Sequence, residues 1–345
     1  MACYYPMQMV RYGSGDVEYL GPAGDNPMTF TYRDPGTLDF KKFFTVPCGK
    51  CIGCRLEYSR QWAVRCMNEL KTTEGQSWFL TITYDNDHLP RRTFQAEETG
   101  VRVEMPTLRP KDLQDFFKRL RERLRRAGKP DIRYYACGEY GDELKRPHYH
   151  AIVFNLNLDD LVYYKSIRGH EYYNSSFLDS VWANQGFIVC SDVSFEACAY
   201  VARYVMKKAK GPAGISYASD NNLEEEFVRM SRRPGIGYQY FLDHKDEMYK
   251  IEKDHYGVKH IKNDSMGFYP SNNGPIKLKP VKYYDKLFDV DEHLDLLRIK
   301  ASREMKAKRR NEAIMSNMSI TSGEYRLVQM RDKEQQLSLL HRDTF

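Results

Sequence analysis

This sequence has no apolar run approaching the roughly 18 residues needed to cross a bilayer. Its opening residues, MACYYPMQMV, hold neither the basic stretch nor the apolar core of a secretory leader. A soluble, cytoplasmic chain with no membrane partner is therefore expected. No GxxxxGK[ST] segment occurs, so no phosphate-cradling loop of an ATPase or helicase is expected, and the absence of HExxH excludes a zincin. Internal repeats and low-complexity tracts are also missing. Eight cysteines in 345 residues are too few and too unevenly placed for the disulfide framework of a small secreted domain. Three of them crowd into PCGKCIGC, which suits reduced thiols or a metal site.

The net charge is only +6, but it is unevenly placed. Between Thr107 and Arg133, ten Lys and Arg face four acids; Arg203 to Lys210 holds four bases and no acid; Arg298 to Arg310 holds seven bases and Glu304. Each run taken alone reads equally well as a solvated helix face. Together, in a chain otherwise near neutral, they suit a polyanion. The candidate phosphate contacts are Lys118, Arg119, Arg121, Arg123, Arg125, Arg126, Arg203 and Lys208.

Hydrophobic patterning predicts an α+β fold, a central antiparallel sheet with flanking helices. A Cys-rich segment and helix precede it (1–75), a core follows (76–215), and a helical extension ends the chain (216–345). Leu56 to Thr73 reads as a helix and WFLTITY, 78–84, as a central strand. Pro110 opens a helix whose Leu113, Phe116, Phe117, Leu120 and Leu124 recur at helical spacing, closed by Gly128 and Pro130. Ile132 to Glu139 and Pro147 to Phe154 form a hairpin across YGDELKR. A Tyr- and Asn-rich loop follows, then a strand over Gly186 to Val193 and a helix over Glu196 to Lys208. RRPGIGYQYF (232–241) and KPVKYYDKLF (279–288) are aromatic-basic segments without a clear period, and a charged helix is expected from about Asp291 to Ser316.

In the second hairpin strand, His148 and His150 stand two apart and so share a face. Glu139 precedes them across the turn, where an antiparallel partner can bring its carboxylate beside the imidazoles; Glu143 is the competing acid. Two His and one carboxylate leave coordination positions open for a substrate oxygen, as a catalytic divalent metal requires. Two surface histidines without metal remain the plainer reading. A third His at alternate spacing would indicate a nucleotide hydrolase, but Ile152 stands there.

AYVARYVMKK sets Tyr200 and Tyr204 one helical turn apart on one face, followed by Lys207 and Lys208. A phenol with pKa near 10 is a poor nucleophile unless a cation or base assists it and a metal polarises its target. Ordinary packing of an amphipathic helix is the alternative. Cys48, Cys51 and Cys54 form CxxCxxC, to which Cys3 or Cys66 adds a fourth thiolate for structural zinc. Cys3 is the preferred fourth ligand, since Cys66 falls on a helix facing the core. A bacterial ferredoxin cluster would need a further cysteine where Tyr58 and Ser59 stand.

The succession of FLTITY, a Glu-bearing strand, PHYHAIVF and YVARYVMKK resembles the three motifs of HUH replication initiators. With CGKCIGCRLEYSRQWAVRC it is similar to the replication initiation proteins of Microviridae phages, particularly the gokushovirus branch. The resemblance runs over residues 79–208 and, through the cysteines, back to about 48. It implies a Rep-type nicking domain, with Mg2+ or Mn2+ held by Glu139, His148 and His150. Tyr200 and Tyr204 would be alternate nucleophiles and Lys207 would assist the second. The expected partners are single-stranded DNA, the origin of the replicative form, and a host helicase and polymerase in the host cytoplasm. Two other classes fit parts of the chain: a non-catalytic single-strand binder, and a metal-dependent phosphodiesterase of small nucleotides that would need neither tyrosine.

Overall fold

The computed structural model describes residues 3–24, 27–35, 39–95, 102–141, 143–167, 169–204, 218, 221–269 and 275–338. Their contacts group into two units, Met1–Tyr58 with Glu292–Phe345, and Ser59–Asp291.

In the first unit, β1 (Met7–Tyr12), β2 (Val17–Pro22), β3 (Thr31–Arg33) and β4 (Phe40–Val46) form an antiparallel sheet in the order β2-β1-β4-β3. The turns of this sheet fall in the Gly- and Pro-rich stretches, where such residues permit reversal. Helix α1 (Ile52–Lys71) begins directly after the cysteine run.

The second unit is organised by a sheet of β5 (Trp78–Tyr84), β8 (Arg133–Tyr140), β9 (Pro147–Phe154), β10 (Leu161–Ile167), β11 (His170–Ser175), β12 (Gly186–Asp192) and β13 (Phe227–Met230). A ribbon of β6 (Arg91–Gln95) and β7 (Arg102–Pro106) stands apart. Among the described residues the large sheet has the order β10-β11-β12-β5-β9-β8-β13, and every pairing with an assigned register is antiparallel. The expected strands at 78–84 and 147–154 are reproduced to the residue. The stretch expected as a Tyr- and Asn-rich loop is instead the β10–β11 hairpin. As the outer pair of the sheet it is solvated and tolerates polar residues that an interior strand would not.

Alternation divides the strands between two faces. Leu80 and Ile82 of β5 and Tyr149, Ala151 and Val153 of β9 pack against α2 (Pro110–Arg126) and α3 (Ser176–Val181). Phe79, Tyr135, Cys137, Ile152 and Phe154 face the other way, against Ala63 and Cys66 of α1 and Cys198, Val201 and Ala202 of α4 (Phe195–Tyr204). The five periodic apolar residues of α2 are all buried. At about 1.5–3 kcal/mol for each fully buried large side chain, this stripe, not the basic face, holds the helix down. Gly128, at φ +66°, ends it, because the left-handed turn there suits a residue without Cβ.

The two aromatic-basic segments also become helical, as α5 (Tyr238–Met248) and α6 (Lys282–Asp291); Tyr284 and Phe241 stack with centroids 5.8 Å apart. In the first unit, the expected charged helix is α7 (His293–Met315), followed by α8 (Ser322–Ser338). No helix of the described residues is long and apolar enough to cross a membrane.

Candidate active site

Glu139 and His148 are directly paired across β8 and β9, and His150 follows two positions on, opposite Cys137 on one side and Thr81 on the other. All three side chains rise from the face covered by α1 and α4. His148 Nε2 lies 2.8 Å and His150 Nε2 3.1 Å from the same oxygen, Glu139 Oε1. Glu139 and His150 are buried, while His148 is partly open to solvent. Burial alone would push the Glu139 carboxyl up, but its hydrogen bonds and charge interactions with His148 and His150 outweigh this and hold it below the usual carboxylate range.

Hydrogen bonding orients both rings. The Nδ1–H of His148 donates to the Arg146 carbonyl at 3.0 Å, and His150 Nδ1 lies 3.2 Å from the Thr81 hydroxyl. Phe79 stacks on the His150 ring at 5.3 Å. With its Nδ1 proton committed to a carbonyl, a neutral His148 turns the bare lone pair of Nε2 towards a carboxylate oxygen at 2.8 Å. Such a contact is favourable only with a proton or a cation in the gap. The second oxygen, Glu139 Oε2, is buried without a hydrogen-bond partner. An orphaned carboxylate oxygen between two oriented imidazoles fits a divalent cation. The three ligand atoms lie within 4.8 Å of one another. Glu143, the competing acid, is exposed and is not part of the cluster.

Helix α4 carries the first tyrosine to this point. Ser194 caps it, its hydroxyl accepting from the Ala197 N–H at 3.1 Å, and the Ala199 carbonyl accepts from the Ser59 hydroxyl of α1 at 2.7 Å. Cys198, Val201 and Ala202 turn into the core. Tyr200 then projects at the margin, its hydroxyl 3.5 Å from Glu139 Oε1 and its ring edge-on to His150 at 5.2 Å. Tyr204 closes the described part of the helix; Lys207 and Lys208 lie outside the described residues. Arg203 is placed on α4 by its backbone.

The basic helix α2 lies on the opposite face of the sheet. The hydroxyl of Tyr149, which points away from the histidines that flank it, donates to the Arg109 carbonyl at 3.0 Å. Several of the α2 bases also have intramolecular partners. Arg119 Nε donates to the Val181 carbonyl at 2.7 Å, Arg123 donates to Ser180, and Arg125 and Arg126 pair with Glu122. Arg121 lies over the Tyr134 ring, and Lys118 sits 3.9 Å from Asp115. Placing the run on a helix was possible from the sequence; its face of the sheet depends on pairing between strands far apart in the chain. Thr81, Phe79 and the Arg146 carbonyl escaped the sequence reading for the same reason, since they contact the histidines only through strand register.

In the first unit, Cys3, Cys48, Cys51 and Cys54 come together with their sulfurs within 4.8 Å of one another. Backbone N–H groups point at them: Cys48 N lies 3.2 Å from Cys3 Sγ, Cys51 N 3.3 Å from Cys48 Sγ, and Tyr4 N 3.4 Å from Cys51 Sγ. Burial raises the Cys51 thiol, but these N–H groups and the neighbouring thiols bring it down to about 7, while burial pushes Cys54 up. Cys66 is fully buried in the second unit, beside Cys198.

A family model described as replication-associated protein ORF2 matches residues 77–209. Replication-associated protein ORF2 of Spiroplasma virus 4 is 32% identical over 332 residues, covering 93% of this chain and 92% of its own length. Replication-associated protein VP4 of Bdellovibrio phage phiMH2K is 37% identical over 60% of each chain, and replication-associated protein ORF4 of Chlamydia phage 1 is 28% identical over 65% of this chain and 53% of its own. No solved structure matches the chain. The extent of the likeness to the spiroplasma virus protein, with the family match over the sheet that carries Glu139, His148, His150 and Tyr200, places this chain in the phage replication-associated protein family, among the replication initiators of the Microviridae type.

Proposed function

We propose that this replication initiator is a metal-dependent DNA endonuclease and strand transferase of the HUH type, which nicks one strand at the phage origin through a tyrosine. The observation that carries this reading is the 3.5 Å approach of the Tyr200 hydroxyl to the carboxylate on which both histidine Nε2 atoms converge. A cation bound by Glu139, His148 and His150 supplies Lewis-acid polarisation of the scissile phosphate. Mg2+ or Mn2+ suits the carboxylate and the open positions, and two imidazoles favour the softer Mn2+ of the pair. The four thiols of the first unit suit structural Zn2+.

Tyr200 gives up its phenolic proton and its oxygen attacks phosphorus. The bond to the 3′ oxygen breaks, the electron pair leaves with that oxygen, and the products are a 5′-phosphotyrosine and a free 3′-OH. The phosphodiester bond energy is conserved in this link, so a later 3′-OH can attack it and rejoin DNA without ATP. Tyr204, one turn further along α4, serves as the second nucleophile, assisted by Lys207. Duplex unwinding and synthesis from the 3′-OH fall to a host helicase and polymerase. The test is a denaturing gel of protein incubated with labelled single-stranded origin DNA and manganese. A covalent adduct supports the enzyme; binding without an adduct favours the single-strand binder.

A further inference from the structure

The sheet face that carries the metal ligands continues past them to an exposed aromatic. Reading across the strands at the level of Glu139, the directly paired residues are Glu139 on β8, His148 on β9, Thr83 on β5 and Phe187 on β12. Direct antiparallel partners share a face, so all four side chains rise on the same side. β12 is an inner strand, with β11 and β5 on its two sides. An apolar residue facing outward there would ordinarily be covered, yet Phe187 is 66% exposed.

Its position is held by the backbone. The carbonyl of Phe187 accepts from the Thr83 hydroxyl at 3.1 Å. Gly186, at φ +153°, brings β12 so close to β5 that a Cβ there would lie 2.2 Å from the Thr83 carbonyl oxygen. Glycine is therefore required immediately before Phe187, and the ring that follows projects from a fixed backbone. Towards the open edge, Val162 and Tyr164 of β10 are also exposed, at 65% and 53%. The Lys165 ammonium lies 5.2 Å from the Tyr164 centroid and 5.6 Å from that of Tyr172.

We propose that Phe187 is the stacking platform for a base next to the scissile phosphate, and that the bound single strand runs from the Glu139–His148–His150 centre across β5 and β12 towards the β10 edge. The inference rests on the nicking reading for the position of the scissile phosphate. Phe187 stands two strand spacings from His148, about 10 Å, close enough to hold a neighbouring base while the phosphate sits at the ligands. Stacking on an aromatic tolerates any base. Phe187 is thus a positioning residue, and it supplies a contact on the catalytic face that the basic helix α2, on the other face, does not.

The experiment measures fluorescence anisotropy of a labelled oligothymidylate and of a mixed-sequence oligonucleotide, without added divalent cation, over a range of salt. Phe187→Ala should weaken binding about 5- to 150-fold. The slope of affinity against salt should not change, since no phosphate contact is lost. Phe187→Trp should bind like the parent chain, and the melting temperature of both variants should be unaltered. Unchanged affinity of Phe187→Ala on both oligonucleotides overturns the proposal. So does a loss of affinity accompanied by a lower melting temperature, or a concentration-dependent self-association abolished by Phe187→Ala while DNA binding persists. Adduct formation by the parent chain is scored separately. Weak binding by Phe187→Ala with no parental adduct would sink the nicking reading and leave the platform standing.

Discussion

Glu139 and His148 face each other across β8 and β9, with His148 Nε2 2.8 Å from Glu139 Oε1 and the opposite ring nitrogen donating to the Arg146 carbonyl. This pair decides how the centre works. The backbone fixes the tautomer of the ring, and the carboxylate beside it is left with one buried oxygen lacking a partner. Removing any of the three ligands therefore removes a cation position without removing the rest of the surface. His148→Ala and His150→Ala should each abolish adduct formation while leaving affinity for single-stranded DNA within about threefold, because binding is distributed over many contacts. Glu139→Gln should do the same, since an amide brings no negative charge to the cation. Retained cleavage in any of these variants, measured on a denaturing gel, would remove the metal assignment.

Orientation of His150 depends on the Thr81 hydroxyl at 3.2 Å and on the Phe79 ring stacked against it. Thr81→Val keeps the β-branched shape and loses the hydroxyl. It should weaken manganese binding about 10- to 100-fold, the usual effect of losing a hydrogen-bond partner of a ligand. Saturating manganese should restore cleavage. The measurement is cleavage rate against manganese concentration, and an unshifted half-maximum would exclude this role for Thr81.

Two tyrosines one helical turn apart can present alternate hydroxyls to one phosphate. Tyr200→Phe and Tyr204→Phe should each still form an adduct with a short oligonucleotide, but neither should release repeated unit-length circles. The double variant should form no adduct. An adduct in the double variant would place the nucleophile elsewhere, and full circle release by either single variant would reduce the spacing of Tyr200 and Tyr204 to packing.

The four-thiol cluster should hold about one zinc per chain, released by a strong chelator, and Cys48→Ser or Cys51→Ser should lower the melting temperature by several degrees, since structural zinc binding contributes to folding. Thiols must lose their protons to bind zinc. With Cys51 at about 7, zinc retention should be greatest above that pH and fall as pH drops below it. Metal analysis over roughly pH 5–8 tests the direction; a zinc content that rises on acidification, or none at any pH, would contradict the assignment.

Features that depend on local periodicity and side-chain chemistry are legible in the chain without its fold. The strands at 78–84 and 147–154 follow from composition, the stripe of α2 from its 3.6-residue repeat, the shared face of His148 and His150 from the two-residue repeat of a strand, and that of Tyr200 and Tyr204 from one helical turn. The Cys48–Cys51–Cys54 spacing likewise marks a metal cluster locally. Features that depend on register between residues distant in the chain needed the folded molecule. Pairing of β8 with β9 set Glu139, and not Glu143, beside the imidazoles; pairing of β5 with β9 supplied Thr81 and Phe79. The packing of α4 on that face brought Tyr200 to Glu139, while α2, the most basic helix, went to the other side because its apolar stripe fits Leu80, Ile82 and Tyr149. Phe187, an ordinary strand residue in sequence, shares the row of Glu139 and His148 only because two further strand pairings bring it there. A residue's face can be read locally, but which other residues share it is set by sheet order, and no local period encodes that order.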